Sequence, residues 1–146
     1  MILESFGRRQ QFGSTVNVAA FVMKKRIALK FKSAGQAITP EEFSLLTLVD
    51  QEVGASQAEL VSKSLKDKTT VTRLVDSMVK KSLLKRKGIA DDRRAVRLVL
   101  TQKGQQLRED ADPLADEVFK KAQTGISKTD LEVTMRTLGL VLQNFQ

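Results

Sequence analysis

The 146-residue chain contains no cysteine, histidine, tryptophan or tyrosine. Without cysteine there can be no disulfide framework, no thiolate-held zinc or iron–sulfur centre and no thiol redox sensor. Without histidine the commonest general base and the commonest metal ligand are both missing. Aromatic residues are 5% of the chain, all of them Phe, and there are only two prolines and eight glycines. Hydrophobic residues at 41% nevertheless describe a folded, helix-rich domain rather than a disordered chain. No apolar run approaches the roughly 18 residues of a membrane span, and the N-terminus does not read as a signal peptide. The expected location is cytoplasmic, away from membranes.

An enzyme has little to work with. The carboxylate pairs Glu41/Glu42, Asp91/Asp92 and Glu109/Asp110 are adjacent in sequence. Adjacent helical residues point in different directions and do not converge on a substrate. Serines are plentiful, yet no histidine or recognisable lysine dyad is there to activate one. No glycine-rich phosphate loop occurs. The expectation is no catalysis, no cofactor and no metal.

The net charge of +8 is localised. Residues 1–62 carry seven Lys/Arg against six Asp/Glu, and residues 98–146 carry six against seven. Residues 63–97 hold twelve basic side chains against four acidic ones, so the middle of the chain carries the whole excess. A charge concentrated in this way marks a surface for a polyanion, with nucleic acid ahead of an anionic membrane.

Helix starts are legible as capping boxes. Thr39-Pro40-Glu41-Glu42 puts a capping threonine before a first-turn proline and a glutamate three residues on, with Ile38 and Phe43 as a hydrophobic staple. Ser56 and Glu59 repeat the box, and Ser127 and Asp130 repeat it with aspartate. Before the first box, Val16, Ala20, Met23, Ile27 and Phe31 form a long helical stripe ending near Gly35. After it, Phe43, Leu46, Val49 and Val53 predict a helix closing near Gly54. The second box opens a short helix with Leu60 and Val61. About three residues then separate it from Val71, Leu74, Val75, Met78 and Val79, a near-ideal amphipathic stripe with Asp67 as its cap. Two helices so joined predict a helix-turn-helix, although its usual turn glycine is missing. The period then shortens. Leu83–Lys87 and Ala95–Thr101 predict a β-hairpin with a basic tip at 88–94, with Val96, Leu98 and Leu100 on one face. Helical spacing returns with Leu107, Ala111, Leu114, Val118 and Ala122, where Pro113 is expected to bend the helix. A last helix carries Leu131, Met135, Leu138, Leu142 and Phe145.

Helix-turn-helix followed by a basic hairpin predicts a mainly α fold, a winged helix-turn-helix with a two-stranded β-wing. Thr70 to Lys81, Leu83-Leu84-Lys85-Arg86, Asp92-Arg93-Arg94-Ala95-Val96 and Leu100-Thr101-Gln102-Lys103-Gly104 resemble the MarR family of bacterial transcription regulators. The likeness is specific from Pro40 to Gly104. Two departures stand out: Ser82 replaces the family's usual glycine, and Lys87-Gly88-Ile89-Ala90 lacks the usual proline-containing acidic stretch. The resemblance implies one MarR-like domain over 1–146, with dimerisation helices at 1–37 and 105–146 around a DNA-binding region at 38–104. It implies an obligate homodimer on a pseudo-palindromic operator, a repressor released by a small aromatic or anionic effector.

The residues point the same way. Away from the apolar stripe, Lys68, Thr69, Thr72 and Arg73 occupy the first two turns of the predicted recognition helix, the part that reaches base edges. Arginine can bond bidentately to guanine, and threonine offers a hydroxyl and a methyl to thymine. Ser56 and Gln57 open the preceding helix, whose amide dipoles suit a phosphate, although a plain N-cap accounts for them equally. At the hairpin tip, Arg93 and Arg94 stand beside Asp92, a carboxylate able to orient one guanidinium for a narrow minor groove. The candidate double-stranded-DNA set is therefore Ser56, Gln57, Lys68, Thr69, Thr70, Thr72, Arg73, Arg86, Asp92, Arg93 and Arg94. Two rivals are a winged helix used only as a protein-interaction module and a basic peripheral membrane protein. The second needs bulky apolar anchors where this recognition helix has Thr and Ser.

Overall fold

The computed structural model describes residues 8–90 and 92–146; side chains 8, 9 and 92–94 lie outside that description. In chain order the elements are α1 (Arg8–Ser33), α2 (Pro40–Leu46), α3 (Gln57–Ser64), α4 (Lys68–Lys80), β1 (Leu84–Ile89), β2 (Asp92–Leu100), α5 (Gln102–Ala122) and α6 (Lys128–Gln143). This is a mainly α winged helix with a two-stranded antiparallel sheet.

The helices begin where their caps dictate. Thr39 Oγ1 accepts from the Glu42 N–H at 3.2 Å, and Glu42 Oε2 accepts from the Thr39 N–H at 3.0 Å. Ser56 and Glu59 make the same reciprocal pair at 3.1 and 2.8 Å. At α6 the shorter Asp130 carboxylate instead accepts from the Ser127 hydroxyl, while Ser127 Oγ takes the Asp130 N–H. Each cap contributes about 1 kcal/mol. α1 ends in a left-handed turn at Gly35 (φ +70°), with Gln36 N–H bonded to the Phe31 carbonyl and Gly35 N–H to that of Lys32.

One core joins these elements. Phe31 of α1 meets Phe43 of α2 edge-on, with ring centroids 5.3 Å apart. Leu45, Leu46, Leu60, Val71, Val75, Met78, Leu83, Leu84 and Leu98 fill the space between α2, α3, α4 and the hairpin base. Leu107, Ala111 and Ala115 bring α5 onto it. The Leu100–Gly104 stretch has a structural meaning here. Thr101 caps α5 through the Gly104 N–H and donates its hydroxyl to the Ser82 carbonyl at 2.6 Å. A Cβ on Gly104 would overlap the Leu83 carbonyl, so α5 can start against the hairpin base only on glycine.

Several expectations need correction. The helix opened by Thr39 stops at Leu46 instead of reaching Gly54, and Val53 is 62% exposed. Leu48 and Val49 tighten to i→i+3 bonds, and Asp50 Oδ1 then accepts from the Glu52 and Val53 N–H groups, capping a turn that replaces the last helical turns. Gly54, left-handed at φ +70°, lies so close to the Leu98 carbonyl that no side chain would fit. The hairpin is longer than its apolar residues suggested: β1 runs to Ile89 and β2 starts at Asp92, with a bulge between Gly88 and Ile89. Leu98 is buried on the face predicted for it, but Val96 is 47% exposed, because the hairpin projects beyond the core. α5 runs as one helix past Pro113, the residue expected to bend it.

The end helices carry unburied apolar surface. Phe21 of α1 is 61% exposed, and α6 buries no residue at all, leaving Met135, Leu140 and Leu142 more than half exposed.

Candidate nucleic-acid interface

The turn between α3 and α4 is set by Leu65, which ends α3 in the left-handed region at φ +55°. This is the position where the sequence lacks the usual glycine, and a leucine takes the same backbone shape. Two residues later Asp67 caps α4. Its Oδ1 accepts from the Thr70 N–H at 2.8 Å and its Oδ2 from the Thr70 hydroxyl at 2.6 Å. The Thr70 hydroxyl and then its N–H hold the Asp67 carboxyl below the ordinary carboxylate value. The Thr70 side chain is thereby committed to the cap.

Thr72 is also engaged. Its hydroxyl donates to the Lys68 carbonyl at 2.8 Å and accepts from Gln57 Nε2 at 2.6 Å. Gln57 thus braces α4 from the start of α3, and Ser56 serves as the N-cap. Lys68, Thr69 and Arg73 remain exposed and have no side-chain partner among the described residues. With Thr72 and Asp76 they line a shallow depression of about 470 Å³ on the outer face of α4.

Behind α4 lies an ion pair. Glu42 is 3% exposed and accepts from the Ser77 hydroxyl at 2.6 Å and from Lys81 Nζ at 2.7 Å, besides its capping bond. Burial pushes the Glu42 carboxyl up, but bonds from Lys81, Ser77 and the Thr39 N–H outweigh it, and the group lies below its ordinary value. The end of α4 is a left-handed turn as well. Leu83 N–H bonds to the Met78 carbonyl and Ser82 N–H to that of Val79, with Ser82 at φ +59°. The residue that departs from the family pattern therefore adopts the conformation a glycine would supply.

Two further ion pairs fix the wing. Arg86 of β1 donates to Asp76 of α4 at 2.5 Å, so this predicted contact residue is turned towards the recognition helix. Arg97 of β2 donates to the Val53 and Gly54 carbonyls at 2.7 and 3.0 Å and to Glu59 at 3.2 Å. Its Glu59 partner is held below the ordinary value, first by the Ser56 N–H. Asp76, Glu59 and Arg97 were not among the sequence candidates. Only the strand register and the helix packing bring these distant pairs together. A mutual bridge between Ala55 and Leu98, 2.9 and 2.8 Å, adds backbone to the same joint. Asp92, Arg93 and Arg94, and with them the predicted Asp92–Arg94 pair, have side chains outside the described residues.

A groove of about 460 Å³ lies between α1 and α5, with Val22, Met23, Leu29 and Val118 as apolar lining and Arg26 and Lys121 as cations. Lys30 and Glu117 pair across it. Among the described residues no group of acidic side chains could hold a metal ion, and no helix is long and apolar enough to cross a membrane.

Residues 38–96 match the model of the MarR family. No curated protein matches the chain. Among solved structures, a MarR-family transcriptional regulator from Rhodococcus sp. RHA1 is similar at 21% identity and TM-score 0.76, covering 94% of this chain and 97% of its own. A mutant MarR from E. coli complexed with operator DNA is similar at 19% identity and TM-score 0.80, covering 89% and 92%. So is BpsR of Bordetella bronchiseptica, whose DNA binding is regulated by 6-hydroxynicotinic acid, at 19% identity and TM-score 0.81, covering 93% and 96%. Residues 38–96 are thus similar to the MarR family's domain, and the chain is built on the winged-helix fold of these solved structures.

Proposed function

We propose that the chain binds double-stranded DNA sequence-specifically as a homodimer on a pseudo-palindromic operator, and that it acts as a repressor in the cytoplasm without catalysing a reaction. The observation that carries this reading is the outer face of α4, where Lys68, Thr69 and Arg73 are exposed on a helix braced by Gln57 and Glu42. A helix that reads bases must present unpaired donors from a fixed position, because each misplaced contact forfeits its discrimination. In this reading Arg73 reads guanine and Thr69 and Thr72 meet thymine. The α3 start at Ser56 faces a phosphate, Arg93 meets the backbone, and Arg94, oriented by Asp92, enters the minor groove.

The paired unit is a homodimer with 1–37 and 105–146 as its joining helices. The exposed apolar residues of α1 and α6 support it, since an isolated chain leaves them in water. The effector is a small aromatic anion held in the α1–α5 groove, whose apolar lining and Arg26 and Lys121 suit a ring and a carboxylate. The regulation of BpsR by 6-hydroxynicotinic acid supports that class.

Selection of bound duplexes from a random pool tests the central reading. The expected product is a palindromic consensus with half-sites centred about 10 base pairs apart, one helical turn. A chain that retains no duplex at moderate salt is instead a protein-interaction module, the rival reading.

A further inference from the structure

α4 carries one carboxylate, Asp76, among its thirteen residues. It sits one turn beyond Thr72 and Arg73 and helps line the depression that those residues form with Lys68 and Thr69. A negative charge there is costly on a surface for DNA, because any phosphate entering the depression meets a like charge. Its partner is specific. Arg86 Nη2 reaches Asp76 Oδ1 at 2.5 Å from β1, and the two side chains are 44% and 59% exposed, so water and salt have access to both. Arg86 is therefore a cation on the DNA-facing side whose charge is already engaged within the protein.

We propose that Asp76 is a specificity-determining residue that acts against indiscriminate DNA binding. It holds Arg86 away from the phosphate backbone and repels phosphates that do not arrive in the operator pose. This rests on the DNA-binding reading above. Non-specific binding takes phosphate contacts wherever a cation can reach one, and its affinity follows the number of phosphates neutralised. A carboxylate among those cations removes one such contact per protomer and opposes its neighbours. Operator binding depends less on the missing contact, since base-edge bonds from the first two turns of α4 set its register. Asp76 thus weakens the wrong complexes more than the right one, which is discrimination by repulsion.

The test measures binding to the selected operator and to a scrambled duplex, each across a range of salt, for the full-length protein. Asp76→Asn should raise affinity for the scrambled duplex roughly tenfold at 0.1 M salt and steepen its log–log salt slope by about 2, one released arginine for each protomer of a dimer. Operator affinity should change much less, so the ratio between the two collapses. Arg86→Met alone should weaken scrambled-duplex binding without steepening its salt slope, because that cation is already engaged and its loss leaves Asp76 uncompensated. Asp76→Asn combined with Arg86→Met should return most of the gain in slope. Both side chains are exposed, and thermal melts of each variant confirm folding.

An unchanged salt slope in Asp76→Asn, or an equal rise for both duplexes, overturns the proposal while leaving DNA binding intact. A parent protein that binds neither duplex overturns it together with the reading on which it rests.

Discussion

Replacing Lys81 by methionine isolates the energetics of the joint between α2 and α4. The change keeps most of the aliphatic stem and removes the ammonium that lies 2.7 Å from Glu42 Oε2. Glu42 is 3% exposed and cannot recover its lost partner from bulk water, but the Lys81 side chain is 35% exposed, which softens the pair. Breaking a fully buried pair costs about 3–5 kcal/mol, whereas a hydrogen bond to a charged group is worth about 1.5–3. With water reaching one partner and Ser77 and the Thr39 N–H still bonded to Glu42, about 2 kcal/mol is expected. For a chain of this size that lowers Tm by roughly 6 °C at neutral pH. The sign with pH follows from Glu42. Its folded carboxyl lies below the ordinary 4.5, so its stabilisation is present above that pH and is lost as pH falls through the folded value. In Lys81→Met burial goes less opposed and the folded carboxyl rises. The two proteins should therefore differ most at pH 7 and converge towards pH 4, in thermal melts at fixed protein concentration. An equal gap at both pH values would refute the argument, as would an unchanged melt at pH 7.

Other outcomes are as definite. Ser82→Gly should stabilise the protein by about 0.5–1 kcal/mol, the left-handed penalty of about 1–2 less the extra chain entropy of glycine, and a lower Tm would contradict it. The Ser82 carbonyl that accepts from Thr101 is backbone and survives the change. Sedimentation at micromolar concentration should return twice the chain mass, and Leu142→Glu in α6 should convert it to a monomer. Arg94→Ala should lose about 1–3 kcal/mol of operator affinity per contact with an unchanged melt. Asp92→Ala should do similar harm although it removes a negative charge, and tighter operator binding by that variant would refute an orienting role. Arg93→Ala should show a smaller, less sequence-dependent loss.

The fold was legible where one residue decides one local structure. Thr39, Ser56 and Ser127 start helices because their hydroxyl oxygens accept from the N–H three residues on, an interaction written within four residues. The stripe from Val71 to Val79 is buried for the same reason it was visible: its spacing is the helix's own period. Failures arose where a distant partner decides. Val49 and Val53 continue a helical pattern, yet the chain leaves the helix at Leu46 because Gly54 and Ala55 must reach Leu98, more than forty residues away. The same limit applied to the candidate site. Lys68, Thr69 and Arg73 are placed by helical phase alone, whereas Thr70 is engaged by Asp67, Thr72 by Gln57 and Arg86 by Asp76 through side-chain geometry that phase does not encode. Nothing in the sequence separates Arg97 from the other basic residues of 63–97, yet it binds the wing to two carbonyls and a carboxylate.

These engagements divide the basic residues of 63–97 into two kinds. Arg97 and Lys81 hold elements together and contribute little outward charge, since Glu59 and Glu42 face them at short range. Lys68 and Arg73 have no such partner among the described residues, so their charge is available to a ligand. The net excess therefore overstates the number of phosphates the surface can neutralise, and the distribution of ion pairs corrects it. Two non-glycine residues take left-handed backbone on either side of α4. Leu65 and Ser82 each carry about 1–2 kcal/mol of conformational cost, and a helix end fixed by an Asp67 cap or by the Thr101 bond leaves them no alternative. Position is imposed on α4 by the Asp67 cap, by Glu42 behind it and by Gln57 through Thr72, which leaves Lys68, Thr69 and Arg73 on its outer face open to change without moving the helix.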